Sequence, residues 1–235
     1  MPVLLSFGHG YSAQALARRL LPDGWTVIGT TRSREKAAAI RATGAEPVLW
    51  PPENPAALLA RATHLLVSAA PDEAGDPVLR ACGNAIRSAA PTIDWAGYLS
   101  TTAVYGDRQG DWVDEDADCR PSTRRGQWRL AAERAWGETG LPLHVFRLAG
   151  IYGPGRGPFK KLRAGRAQRV VKPGQVFGRI HVEDIAEVLL ASIRRPAPGV
   201  FNISDDEPAP PEDVIAHAAR LLGLPAPPAV PFDTA

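Results

Sequence analysis

The chain has 235 residues, 45% of them hydrophobic and 22% charged, as expected of one globular domain with a buried core. A net charge of +2, from arginines scattered along the chain, argues against a nucleic-acid partner. No apolar run approaches the ~20 residues of a membrane span. The opening MPVLLSFGHG lacks a signal peptide's basic and long apolar regions, and only Cys82 and Cys119 are present, so the expectation is a cytoplasmic protein with reduced thiols and no metal site.

Short apolar runs alternate with helical patterns through the first 150 residues. VLLSF (3–7) reads as a buried strand, and Ala13, Leu16, Ala17 and Leu20 then share one helix face. WTVIGT (25–30) is a second strand, after which Ser33 caps a helix closing at Gly44. EPVLW (46–50) and HLLVSAA (64–70) follow as strands, with a short helix near 54–61 between them. A helix near 76–90 leads to DWAGYLSTT (94–102), and one at 126–138 leads to LPLHVFRLAG (141–150). Beyond this, YGPGRGP (152–158) is a loop, and VVKPGQVF (170–177) is expected to form a hairpin around Pro173-Gly174. Helices near 183–194 and 211–222 flank the strand VFNIS (200–204), and the tail LPAPPAVPFDTA is proline-rich and extended.

Such alternation means right-handed crossovers and a parallel sheet covered on both faces. The expected fold is α/β, a Rossmann-type doubly wound parallel sheet with a small C-terminal lobe. Residues 1–150 form an NAD(P)-binding domain, and residues 151–235 a small substrate lobe partly interleaved with it.

SFGHGYSA sets Gly8, Gly10 and Ala13 in a G-x-G-x-x-A pattern between the first strand and an amphipathic helix. Gly8 allows a tight turn, Gly10 lets the backbone approach a pyrophosphate, and Ala13 lets helix and strand pack closely. The phosphates then meet free N–H groups at the helix N-terminus, where Tyr11 and Ser12 also lie. Ser68 and Ala69, at the end of the fourth strand, complete this side of the candidate site. An NAD site offers an acid about 20 residues after the glycines, for the ribose hydroxyls. Here GTTRSREK (29–36) has no acid at the strand end and places Arg32 there, with Thr31 and Ser33 beside it. A guanidinium suits a 2′-phosphate, which favours NADP over NAD as cofactor.

At YLSTTAVYGD, RGQWRLAAE, FRLAGIYGPG and RIHVEDIA the sequence resembles the extended short-chain dehydrogenase/reductase superfamily, also called NAD-dependent epimerase/dehydratase. Its single residue between the first two glycines is similar to an atypical branch. The resemblance implies an oxidoreductase, epimerase or dehydratase acting on a small hydroxyl- or carbonyl-bearing compound. It also implies a Ser or Thr that binds the substrate oxygen, at Thr101, with Ser100 and Thr102 as neighbouring alternatives. The family's Tyr-x-x-x-Lys pair falls on Arg125 and Arg129, so neither family residue is present. Arg stays protonated and cannot replace the tyrosine in proton transfer, whereas Arg129 retains a fixed charge and a donor for the nicotinamide ribose.

Tyr105, Tyr152 and His181 are candidate substitutes for the missing acid. The acidic run at Asp114, Asp116 and Asp118 is excluded as a calcium loop, because Cys119 and Arg125 fall where glycine and a bidentate glutamate are needed. Two readings stay open: an NADP(H)-dependent enzyme, or a non-catalytic NADP-sensing regulatory protein. Oligomeric state is open too, with a homodimer as one alternative.

Overall fold

The computed structural model describes residues 1–234. In chain order its elements are β1 (Val3–Phe7), α1 (Tyr11–Leu20), β2 (Thr26–Thr31), α2 (Arg34–Ala42), β3 (Glu46–Leu49), α3 (Pro55–Leu59), β4 (His64–Val67), α4 (Pro77–Ala89), β5 (Trp95–Thr101) and α5 (Arg124–Gly137). There follow β6 (Leu143–Leu148), β7 (Gly150–Tyr152), α6 (Phe159–Arg163), β8 (Arg169–Val171), β9 (Arg179–His181), α7 (Val182–Arg194), β10 (Gly199–Ile203), α8 (Pro211–Leu221) and β11 (Ala229–Pro231).

Seven strands form the central sheet in the order β10-β6-β5-β4-β1-β2-β3, and every pairing in it is parallel. This is the doubly wound order, reversing direction between β1 and β4 and so opening a crevice beyond their carboxyl ends. Alternation along β1 explains the two-sided core. Leu4 packs with Leu16, Leu20, Ile185 and Leu189 of α1 and α7, while Leu5 and Phe7 pack with Val78, Ile86 and Trp136 of α4 and α5. Each fully buried Leu or Ile adds about 1.5–3 kcal/mol relative to exposure, so both helical layers are held by dispersed apolar contact.

Helix ends follow local chemistry. Ser33 caps α2 by accepting from the Lys36 N–H at 3.3 Å, Asp76 caps α4 by accepting from Val78 and Leu79, and Thr123 caps α5 by accepting from Gly126 at 3.1 Å. Residues 182–203 belong to the main body: α7 packs on α1, and β10 extends the sheet beside β6.

The expected hairpin over 170–177 is not formed. Its turn exists, with Gly174 at φ +76 and the Gln175 N–H donating to the Lys172 carbonyl at 3.1 Å. The flanking segments pair elsewhere: β8 lies parallel to β11 in the tail, and Phe177 of the second arm forms an antiparallel bridge with Ala209, just ahead of β9, which lies parallel to β7. A two-residue turn signal reports local geometry only, and here more distant segments capture both arms. No helix of the described residues is long and apolar enough to cross a membrane.

Candidate functional site

A cleft of about 600 Å³ opens at the switch point, beyond the carboxyl ends of β1, β4 and β5. Its floor is the glycine turn. Gly8 has φ +80, and a Cβ there would stand 2.9 Å from the Ala69 backbone nitrogen, so only glycine fits without strain. The Gly8 N–H donates to Thr30 Oγ1 at 2.8 Å, and Ser68 Oγ donates to the Gly8 carbonyl, tying the turn to β2 and β4. Gly10 is the N-cap of α1 and has no side chain to block the helix's free N–H groups. Ala13 is wholly buried against the sheet, as its small size allows.

His9, between the two glycines, is 6% exposed, and neither ring nitrogen has a partner among the described residues. Its ring fills the space over Gly29, where a Cβ would lie 2.6 Å from His9 Cγ. Burial lowers its pKa to about 4, so the imidazole is neutral at pH 7. Sequence reasoning missed Thr30, His9 and Gly29 as partners, although a glycine inside a strand signals a close approach of this kind.

At the end of β2, Arg32 is exposed and makes no ion pair with the described residues. Thr31 Oγ1 accepts from the Ser33 N–H at 3.3 Å, and Ser33 is occupied as the α2 cap. These two hydroxyls therefore shape the loop that carries Arg32.

Arg129 lines the cleft from α5. Its Nη1 donates to the Leu99 carbonyl at 3.1 Å, to the Tyr98 hydroxyl at 3.2 Å and to the Ala69 carbonyl at 3.4 Å, and its guanidinium lies 5.5 Å from the Tyr98 ring centroid. All these acceptors are neutral, and Arg129 makes no ion pair with the described residues. Burial holds the Tyr98 phenol above the ordinary tyrosine range against the opposing effect of Arg129, and it remains protonated.

Ser100 and Thr101 both line the cleft. Thr101 Oγ1 accepts from the Ala103 N–H at 3.2 Å, leaving its own proton to donate elsewhere. Ser100 Oγ donates to Glu133, which forms a buried ion pair with Arg147 at 2.9 Å. Tyr105 belongs to that network and not to the cleft lining: its hydroxyl accepts from Arg147 at 2.9 Å and donates to Asn202 Oδ1 at 2.7 Å. Burial opposes the charge of Arg147, but hydrogen bonds from it to Glu133 and Tyr105 outweigh burial and raise its pKa. Neither Glu133 nor Arg147 was singled out by pattern, because each reads as an ordinary helix or strand position.

Gly126 is buried, with a Cβ there only 2.9 Å from the Ala103 carbonyl, whereas the preceding Arg125 is exposed and outside the cleft lining. The loop 152–158 reaches back over the glycine turn. The Tyr11 hydroxyl donates to the Pro154 carbonyl at 2.9 Å, and the Arg156 guanidinium lies 5.7 Å from the Tyr11 ring centroid. Tyr152 stacks edge-on against His181 at 5.1 Å, and His181 Nδ1 accepts from the Glu183 N–H as the cap of α7.

No protein-family model matches the chain. It is 30% identical to Protein YeeZ of Escherichia coli K12, over 92% of this chain and 82% of YeeZ. A second relative, the 3-diazoavenalumate denitrifying reductase of a Streptomyces species, is 30% identical over 51% of this chain and 43% of its own. Among solved structures, a conserved protein of unknown function from Silicibacter pomeroyi superimposes with a TM-score of 0.96 at 61% identity, over all of this chain and 83% of that one. A proposed NAD-dependent epimerase/dehydratase from Methylobacillus flagellatus gives 0.77 at 25% identity, over 97% of this chain and 86% of its own. The chain belongs to the extended short-chain dehydrogenase/reductase superfamily.

Within that superfamily, the sheet order and the switch-point cleft are the expected ones. The Thermus thermophilus UDP-glucose 4-epimerase, solved with NAD, shares the fold at a TM-score of 0.76 and 21% identity, over 98% of this chain and 86% of its own.

Proposed function

We propose that this protein is an NADP(H)-dependent oxidoreductase acting on a small hydroxyl- or carbonyl-bearing compound. One observation carries the choice of NADP: the only charged side chain directly at the end of β2 is Arg32, exposed and without an ion-pair partner among the described residues. A carboxylate there would select ribose hydroxyls, whereas a guanidinium selects a 2′-phosphate.

The cleft fits a dinucleotide. Gly8 stands where a Cβ would strike Ala69, and Gly10 leaves the α1 N-terminus open to a diphosphate. Gly8, Gly10, Ser12 and Ser68 would hold its diphosphate side and Arg32 its 2′-phosphate. When bound, the nicotinamide supplies or accepts hydride. The chain's own residues do the rest. Thr101, with its oxygen already accepting from Ala103, donates a hydrogen bond to the substrate oxygen. Arg129 holds a fixed positive charge on the cleft wall, favouring negative charge that develops there. Proton delivery falls to water, since Arg125 is exposed and a guanidinium does not titrate in the working range.

The test is turnover of NADPH against a panel of aldehydes and ketones, in the wild type and in the Arg125→Tyr/Arg129→Lys double variant. Weak wild-type turnover that rises in the double variant supports the proposal. Fast wild-type turnover would show that another side chain transfers the proton. The arginine at position 125 also favours a second reading, NADP sensing without catalysis. NADPH binding with no turnover in either protein would select it.

A further inference from the structure

The net charge of +2 conceals a strong segregation of charge. Between Arg156 and Arg179 the chain carries eight Lys and Arg residues and no Asp or Glu, so the rest of the chain has 19 cations against 25 carboxylates. Among the described residues none of those eight is in an ion pair, although Arg19, Arg61 and Arg80 elsewhere are. Unpaired like charges on one lobe repel and destabilise it unless a counter-charge is supplied. Arg156, Lys160, Lys161, Arg163 and Arg166 are all exposed.

This basic segment borders the cleft. Arg156 near its start and Phe177 near its end both line the cavity, whose lining includes no Asp or Glu. Arg129, which lines the cleft with Thr101, makes its hydrogen bonds through Nη1 alone, leaving Nε and Nη2 without partners among the described residues. The cavity therefore has two guanidiniums and no carboxylate, and the lobe at its rim continues the positive charge outward.

We infer that the substrate of this cleft bears an anionic group, a phosphate or a carboxylate, held at the rim by Arg156 with the basic lobe behind it. This rests on the reading of the cleft as an NADP(H) site and names the substrate class for it. The cofactor's own phosphates are an alternative source of the same chemistry, since Arg156 lies over Tyr11 beside the glycine turn. They already have the α1 N-terminus and Arg32. Of the remaining cations, all but Arg179, which lies on β9, stand on α6, on β8 or in the turns beside them, a lobe packed on α8 and β11 and not on the glycine turn. A guanidinium's fork suits either oxyanion bidentately.

Calorimetric titration separates the two sources. NADPH is first titrated into the wild type and Arg156→Gln. Inorganic pyrophosphate, malonate and the neutral malonamide are then titrated into each protein saturated with NADPH. The inference expects pyrophosphate or malonate to bind the NADPH-loaded wild type, more weakly as salt rises, with malonamide not binding. It expects Arg156→Gln to weaken that anion about tenfold or more, Arg156→Lys to retain part of the affinity, and NADPH affinity to change little. It is overturned if neither anion binds the loaded protein, if malonamide binds equally, or if Arg156→Gln weakens NADPH alone. Failure of NADPH to bind the wild type would instead count against the cofactor reading beneath it.

Discussion

Arg129 and Tyr98 are joined twice, by a 3.2 Å hydrogen bond from Nη1 to the phenol oxygen and by the guanidinium resting over the ring at 5.5 Å. The same nitrogen serves the Leu99 and Ala69 carbonyls, so one side chain fastens α5 to the ends of β4 and β5. Arg129→Ala removes all three bonds and leaves a buried phenol without its donor. It is expected to cost about 1–3 kcal/mol in urea unfolding, with Tyr98→Phe costing less, about 1 kcal/mol.

Gly29 and His9 occupy one space. Gly29→Ala puts a Cβ 2.6 Å from the imidazole Cγ, and the resulting overpacking is expected to destabilise by about 1–3 kcal/mol. His9→Ala in the same chain removes the obstacle. A double-mutant cycle should therefore show a favourable coupling, whereas additive losses would mean that the strand, and not the ring, yields.

Acid should unfold the protein partly through the same imidazole. Burial lowers His9 from an ordinary 6.5 to about 4, so between these values the unfolded chain binds a proton that the folded chain refuses. The contribution is fully present above pH 6.5 and is lost as pH falls towards 4, a difference on the order of 3 kcal/mol. Burial shifts His64 and His144 in the same direction. Urea midpoints measured across this range should fall with pH, and His9→Asn should flatten the slope.

The buried pair of Glu133 and Arg147 joins α5 to β6, and Ser100 and Tyr105 complete its hydrogen bonding. Glu133→Gln leaves an uncompensated guanidinium in the core and is expected to cost about 3–5 kcal/mol. Replacing both partners together, as Glu133→Leu with Arg147→Met, should cost distinctly less. Thermal unfolding of the three proteins distinguishes loss of a pair from loss of a charge partner.

Much of this was legible in the sequence because local chemistry specified it. The glycine turn, the alternating strands and the α2 cap at Ser33 are patterns over a few residues, and the fold uses each where it stands. Contacts between distant residues were not legible. Tyr105 reads as a cleft tyrosine until Arg147 and Asn202, 42 and 97 positions away, claim its hydroxyl. The turn at Pro173-Gly174 predicts a hairpin, but β11 and Ala209 capture its arms. Arg156 looks like one loop arginine among many until Tyr11 lies beneath it and the acid-free stretch to Arg179 stands behind it.

The cofactor choice is tested most directly by one pair of titrations, NADPH and NADH into the wild type and into Arg32→Asp. Tighter binding of NADPH by the wild type, about tenfold or more, with the order reversed in Arg32→Asp, is the expected result. Equal affinities in the wild type, or an unchanged order in the variant, would contradict the assignment of Arg32 to a 2′-phosphate.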